Sequence, residues 1–204
     1  TFNAWAHNTE LVADIFTQTG NEIPQNSVEI TLPRAILGAS RSFRYKHFGL
    51  LASFDLDLTF DCLGFPQHLG HFHTLLTRYP KMRAVIDHCM KPQIRNQSQE
   101  HLQMWADGME KLANDTNAYC KLSGLVTECD NDISASLIKP YTDHVLKAFG
   151  PARVMWGSDW PVSRLRCEYA DWFALAQRLT DHLTDTDKQQ LFQHTARQFY
   201  RIAS

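Results

Sequence analysis

No run of apolar residues in this chain is long enough to cross a bilayer, and its first residues show no secretory-leader pattern. No cysteine pair has CxxC spacing. The five cysteines, Cys62, Cys89, Cys120, Cys129 and Cys167, are odd in number. A zinc ribbon or disulfide framework is therefore not expected, and reduced thiols suit a cytoplasmic protein. Charge of either sign is scarce in excess: the formal total is -2, which gives no electrostatic case for nucleic acid or an anionic membrane as partner. No GxGxxG or GxxxxGK sequence follows any predicted strand, which removes the main support for a nucleotide-binding sheet.

What remains is the composition of an ordinary globular protein. The 204 residues are 44% hydrophobic and 21% charged, compatible with one domain, 1–204, or a large piece of one. From about position 56 a short apolar strand is repeatedly followed by an amphipathic helix. Strands are expected at 56–61, 83–88, 118–123 and 153–158, adjacent and parallel in that order. After the first, Pro66 opens a helix with Leu69, Phe72, Leu75 and Leu76 on one face. After the second, a helix runs from Ser98 to Asn114 with Leu102, Trp105, Met109 and Leu112 inward. After the third, a helix spans 135–149, with Pro140 near its start or kinking it and Gly150-Pro151 closing it. Two further helices are expected near 169–183 and 186–200. Earlier in the chain, Thr9–Thr17 reads as a short helix and Val28–Leu32 as a strand.

Strand–helix alternation implies parallel strands buried on both faces. A closed (β/α)8 TIM barrel and an open doubly wound sheet both satisfy it. A full barrel needs eight strands and about 250 residues. The chain offers four good units and two poor ones, begins at Thr1 rather than Met, and is expected to lack its first strand or strands.

In a barrel, strand C-termini face the active site, so the polar residues that end strands are the candidates. The second strand ends in Asp87-His88, the third carries Lys121 and Ser123, and the fourth ends in Ser158-Asp159-Trp160-Pro161. Ionised Asp159 could take a proton from water, and His88 could polarise a carbonyl or bind a metal. Lys121 could hold a substrate anion, and Trp160 could form an apolar wall. Each residue alone has a plainer reading: a strand-end Asp caps the next helix, a lone His is a satisfied buried residue, and Lys121 snorkels from the rim. Their alignment at corresponding strand ends favours a site. Arg41 and Arg44 could bind a carboxylate bidentately or lie on the surface. Trp156, inside a strand, reads as core. The histidines at 7, 47, 68, 101, 144, 182 and 194 are expected to face solvent.

Three segments, Val85 to Pro92, Tyr119 to Leu125 and Arg153 to Val162, closely resemble the amidohydrolase-related hydrolases. The nearest branch is similar to the sugar-lactone and dicarboxylate-lactone hydrolases, and Thr195 to Arg201 resembles that branch's C-terminal segment. The resemblance covers about residues 56–201. It implies a TIM barrel, a small-molecule lactone substrate, Asp159 as the last-strand general base and His88 as the sixth-strand histidine. It implies either no cofactor or one divalent metal, zinc first, with His88 and Asp159 among its ligands. Relatives place a strand end near Arg44. The family's first-strand His-x-His pair is not found: His71-Phe72-His73 has the spacing but falls in a predicted helix, where residues two apart point in different directions. The pair is expected to belong to a missing N-terminal stretch. The main expectation is a hydrolase that opens a lactone ring. A metal-dependent decarboxylase of the same superfamily and a non-catalytic, truncated barrel that associates through open sheet edges are the alternatives, and a homo-oligomer is compatible with any of them.

Overall fold

The computed structural model describes residues 28–30, 43–45, 59–130 and 133–202. The chain divides into two compact units, 1–58 and 59–204. In the first, β1 (Val28–Ile30) pairs antiparallel with β2 (Phe43–Tyr45), Glu29 opposite Arg44. The strand expected from Val28 is present, whereas the helix expected at Thr9–Thr17 lies outside the described residues, as do Arg41, His7 and His47.

The second unit carries the strand–helix rhythm. Its strands are β3 (Thr59–Cys62), β4 (Arg83–Ile86), β5 (Tyr119–Leu122) and β6 (Val154–Trp156), hydrogen-bonded side by side in that order. All three pairings are parallel, as the sequence predicts. Between and after them run α1 (Leu69–Arg78), α2 (Gln99–Asp115), the short α3 (Leu125–Glu128), α4 (Ala135–Phe149) and α5 (Tyr169–Leu179). Then come α6 (Asp185–Gln189), a π-helical turn at Gln190–His194, and α7 (Thr195–Tyr200). This is the (β/α) barrel architecture, seen here as four consecutive parallel strands. β4, β5 and β6 end one or two residues before the expected positions 88, 123 and 158. Residues 87–88, 123 and 158 lie beyond the strands in the loops above them, while Gly157 still donates its N–H to the Leu122 carbonyl at 3.1 Å.

Register and alternation sort the strand residues onto two faces. Asp61 pairs with Val85, Val85 with Tyr119, and Lys121 with Met155, so these five share one face. Ile86, Cys120, Leu122 and Trp156 stand on the other. The second face meets the helical layer: Phe60 touches Phe72 of α1, and Trp156 stacks with Trp172 of α5. The first face meets the end of the chain, where Val85, Met155 and Phe199 form one buried cluster flanked by Tyr119 and Tyr200.

The helices form where the spacing of apolar residues requires. Leu69, Phe72, Leu75 and Leu76 of α1 are buried, as are Trp105, Met109 and Leu112 of α2. Ser98 caps α2, its hydroxyl accepting the His101 N–H at 3.1 Å. Pro140 lies inside α4 without ending it; in the second turn its missing N–H costs a single bond. Two histidines depart from expectation. His68 is buried and its Nδ1 accepts the Phe65 N–H at 3.0 Å, so it closes the turn that starts α1 rather than facing solvent. His144 is half-buried, 2.9 Å from the Ala106 carbonyl and with its ring tilted against Trp105.

Candidate active site

Three strand ends converge. His88 follows β4, Ser123 follows β5, and Asp159 follows β6. The His88 Nε2 lies 3.6 Å from Asp159 Oδ1, and its Nδ1 lies 2.8 Å from the Ser123 hydroxyl. The imidazole thus stands between a hydroxyl that can fix its tautomer and a carboxylate that shares its open edge. Both sequence-predicted reacting residues are therefore at the C-terminal ends of parallel strands and within reach of one small ligand.

The backbone that carries His88 is unusual. His88, Cys89, Met90 and Lys91 all have positive φ, at 50°, 50°, 60° and 49°. Four non-glycine residues in a left-handed turn cost about 1–2 kcal/mol each, so the surroundings must impose the conformation. The Trp105 indole donates to the Cys89 carbonyl at 2.8 Å from inside α2. The Cys89 thiol donates to the Lys121 carbonyl at 3.3 Å. Lys91 donates its N–H to the His88 carbonyl at 2.8 Å, and its ammonium pairs with Glu128 at the end of α3. Gly124 completes the enclosure. Its φ is +67°, and a Cβ there would come within 2.8 Å of the His88 ring, so glycine is required both for the backbone and for the space. The sequence reading assigns no role to Gly124, Lys91 or Glu128, and names Asp87 only as the residue before His88. The Ser123-Gly124 pair directly after an apolar strand is the signal that could have drawn attention to them.

Asp159 also has positive φ, 54°. Its carbonyl accepts the Ser163 N–H at 2.8 Å, which folds the following residues into a tight turn. Behind it the Trp172 indole donates to the Gly157 carbonyl at 2.9 Å, tying the end of β6 to α5. Trp160 is 61% exposed and its N–H donates to the Ser158 hydroxyl.

Burial acts on both members of the pair in opposite senses. It lowers the His88 pKa to about 4; the Asp159 charge opposes this, and Lys91 and Lys121 add to it. The ring is therefore neutral at pH 7. Burial raises the Asp159 carboxyl above its ordinary range against the pull of His88 and Lys91. A raised carboxylate is a stronger base.

Lys121 lies on β5 with its ammonium 2.7 Å from Asp61 Oδ2 and 2.7 Å from Asp87 Oδ1. Burial opposes its charge, but Asp87 and Asp61 outweigh that penalty and hold the amine above its usual range. Arg44 lies in β2, and its side chain is outside the described residues. His71 and His73 fall inside α1, as predicted, with His73 paired to Asp115 at 2.8 Å. A divalent ion would find two donors here, His88 Nε2 and the Asp159 carboxylate. No group of three ligands assembles among the described residues, so these residues alone do not make a metal centre.

The chain is similar to known proteins over most of its length. The model of the amidohydrolase family matches residues 38–202. An L-fucono-1,5-lactonase of Burkholderia ambifaria is 40% identical over 150 residues, covering 72% of this chain and 51% of that protein. A second, from Burkholderia multivorans, is 33% identical over 154 residues, covering 72% and 52%. The chain thus spans about half the length of the curated relatives it matches. A Burkholderia multivorans amidohydrolase, solved with bound zinc, superposes with a TM-score of 0.74 at 28% identity, over 95% of this chain and 70% of that one.

Proposed function

This chain belongs to the amidohydrolase family, and from that premise we propose that it opens the ring of a sugar-acid lactone with water. The observation that carries the reading is the 3.6 Å approach of His88 Nε2 to Asp159 Oδ1 across two strand ends. Asp159 takes a proton from water. The resulting hydroxide adds to the lactone carbonyl, the ring C–O bond breaks, and the departing alkoxide takes back the proton held by Asp159 to become the hydroxyl of the open acid. Neutral His88 supplies an Nε2–H to the carbonyl oxygen as charge develops, provided Ser123 donates its hydroxyl to Nδ1. Trp160 gives the substrate an apolar wall, and Arg44 is a candidate for a substrate carboxylate. The lactonase names of the relatives favour sugar-acid lactones over dicarboxylate lactones.

We take residues 1–204 as part of one barrel domain. His88 and Asp159 would be this chain's contribution to a zinc site, and no step is assigned to a metal. No helix among the described residues is long and apolar enough to cross a membrane. A cytoplasmic setting suits the cysteines, none of which forms a disulfide.

The test is Asp159→Asn in the intact protein, with turnover measured on a panel of sugar-acid and dicarboxylate lactones with and without chelator. Loss of a general base is expected to cost about 10²–10⁴ in rate. Asn caps a turn about as well as Asp, so unchanged turnover at matched stability would return Asp159 to a structural role and remove the mechanism.

A further inference from the structure

One cluster of charge in the second unit has no part in the reaction as written above. Lys121 is held between the carboxylates of Asp61 on β3 and Asp87 just beyond β4, at 2.7 Å from each. The Tyr200 hydroxyl, from α7, donates to Asp61 at 3.1 Å, and the Tyr200 ring lies 5.6 Å from the ammonium. Buried ion pairs of this sort are weak contributors to stability, since apolar side chains of similar volume often serve as well. The placement of this one suggests what it does. Asp87 immediately precedes the left-handed turn, and it is 4% exposed. Lys121 grips that turn twice: by its ammonium on Asp87, and by its carbonyl, which accepts the Cys89 thiol at 3.3 Å. Just past the end of β5, Ser123 holds the His88 ring itself. The strand acts as a splint along the turn.

We propose that Lys121 is a positioning residue, clamped by Asp61 and Asp87 so that it locks the backbone turn which aims His88 at Asp159, with Tyr200 bracing the clamp from the last helix. This assignment rests on the reading of His88 and Asp159 as the reacting pair. It leaves the ammonium with two protein carboxylates as partners, in place of a substrate anion.

The test combines two readouts on the intact protein: the ¹H and ¹⁵N signals of the His88 ring, and kcat and KM on a sugar-acid lactone. Lys121→Met is expected to move or broaden the His88 signals and to lower kcat by about 10–100-fold, the scale of a misplaced catalytic group, with KM little changed. Lys121→Arg should recover part of the loss. Asp61→Asn and Tyr200→Phe should move the same signals in the same direction by less, and they decide the matter if Lys121→Met does not fold. Unchanged His88 signals in a folded variant would overturn the proposal. So would a raised KM at unchanged kcat, which would make Lys121 a substrate ligand. If the unsubstituted protein turns over no lactone, the proposed function falls, while the His88 signals still decide the role of Lys121.

Discussion

His88 and Asp159 both leave their strands through a positive φ, 50° and 54°, yet the chain around them is built in opposite ways. The turn after β4 is enclosed. Asp87, Cys89 and Met90 are buried, and donors or acceptors from α2, β5 and α3 hold its residues. The loop after β6 is open: Trp160, Val162 and Leu165 are 61%, 39% and 79% exposed. One half of the pair is fixed from behind by buried partners. The other is held at its root, by Gly157 and the buried Ser163, and beyond that offers side chains to whatever approaches. The difference suggests a division of labour in which the β4 side sets geometry and the β6 side meets substrate. Substitutions on the first should act on stability and kcat together, and those in the β6 loop beyond Asp159 on KM alone.

The largest effect should come from Gly124→Ala. It places a Cβ against the His88 ring at a residue with φ +67°. Left-handed strain plus overpacking should cost about 2–5 kcal/mol, read as a fall in Tm with a loss of kcat. A variant of unchanged stability would show that the turn yields easily and that the enclosure is not rigid.

Next is Ser123→Ala, which removes the 2.8 Å partner of His88 Nδ1. An unsatisfied buried nitrogen costs about 1–3 kcal/mol, and kcat should fall because the tautomer is no longer chosen. If KM rises instead while kcat holds, the ring is a substrate ligand and its orientation is not set from behind.

The pH response sharpens the contrast. Asp159 is held above the ordinary carboxylate range, so the acid limb of kcat should lie above that range, with activity lost as pH falls through it. Asp159→Asn should abolish the limb along with the activity. His88 is depressed to about 4 from an ordinary 6.5. Between those values the unfolded chain binds more protons than the folded one, so stability should be lost as pH falls from about 6.5 to 4. Thermal melts across that window should show the loss, and His88→Gln should flatten it.

The smallest structural effect belongs to Trp160→Ala. With its side chain mostly in solvent, stability should change by no more than about 0.5 kcal/mol, while KM for the lactone rises. A large loss of stability would place Trp160 in a packed interface and end the assignment of open and closed halves.

The strands were legible in the sequence because runs such as Ala84-Val85-Ile86 are apolar throughout, as strands buried on both faces must be. The ends of β4, β5 and β6 were read one or two residues late, and that of β3 one residue early. At His88 and Asp159 the backbone turns away into left-handed conformations, which no side-chain periodicity announces. The candidate pair was legible for a related reason: Asp and His at the top of apolar runs break the pattern visibly. The supports around it were not. Gly124 matters through a ring brought close by folding, and Lys121, Asp61 and Asp87 meet only when three strands align. His68 looked like one more polar residue on a helix, and became a buried acceptor because the chain entering α1 leaves the Phe65 N–H to be satisfied.

The cysteines that argued against a disulfide framework have a second use. Cys62, Cys89, Cys120 and Cys129 are all fully enclosed, and Cys167 alone is half-buried. Burial also pushes the Cys62 and Cys120 thiols well up, so few thiolates exist at neutral pH and those are out of reach. An alkylating reagent should therefore mark Cys167 first and the other four only when the molecule opens. Cys89 sits inside the His88 turn and Cys120 in the middle strand, so their order of labelling would separate a loosening of the turn from global unfolding. The fold thus contains its own set of chemical clocks, one of them placed within the turn that carries His88.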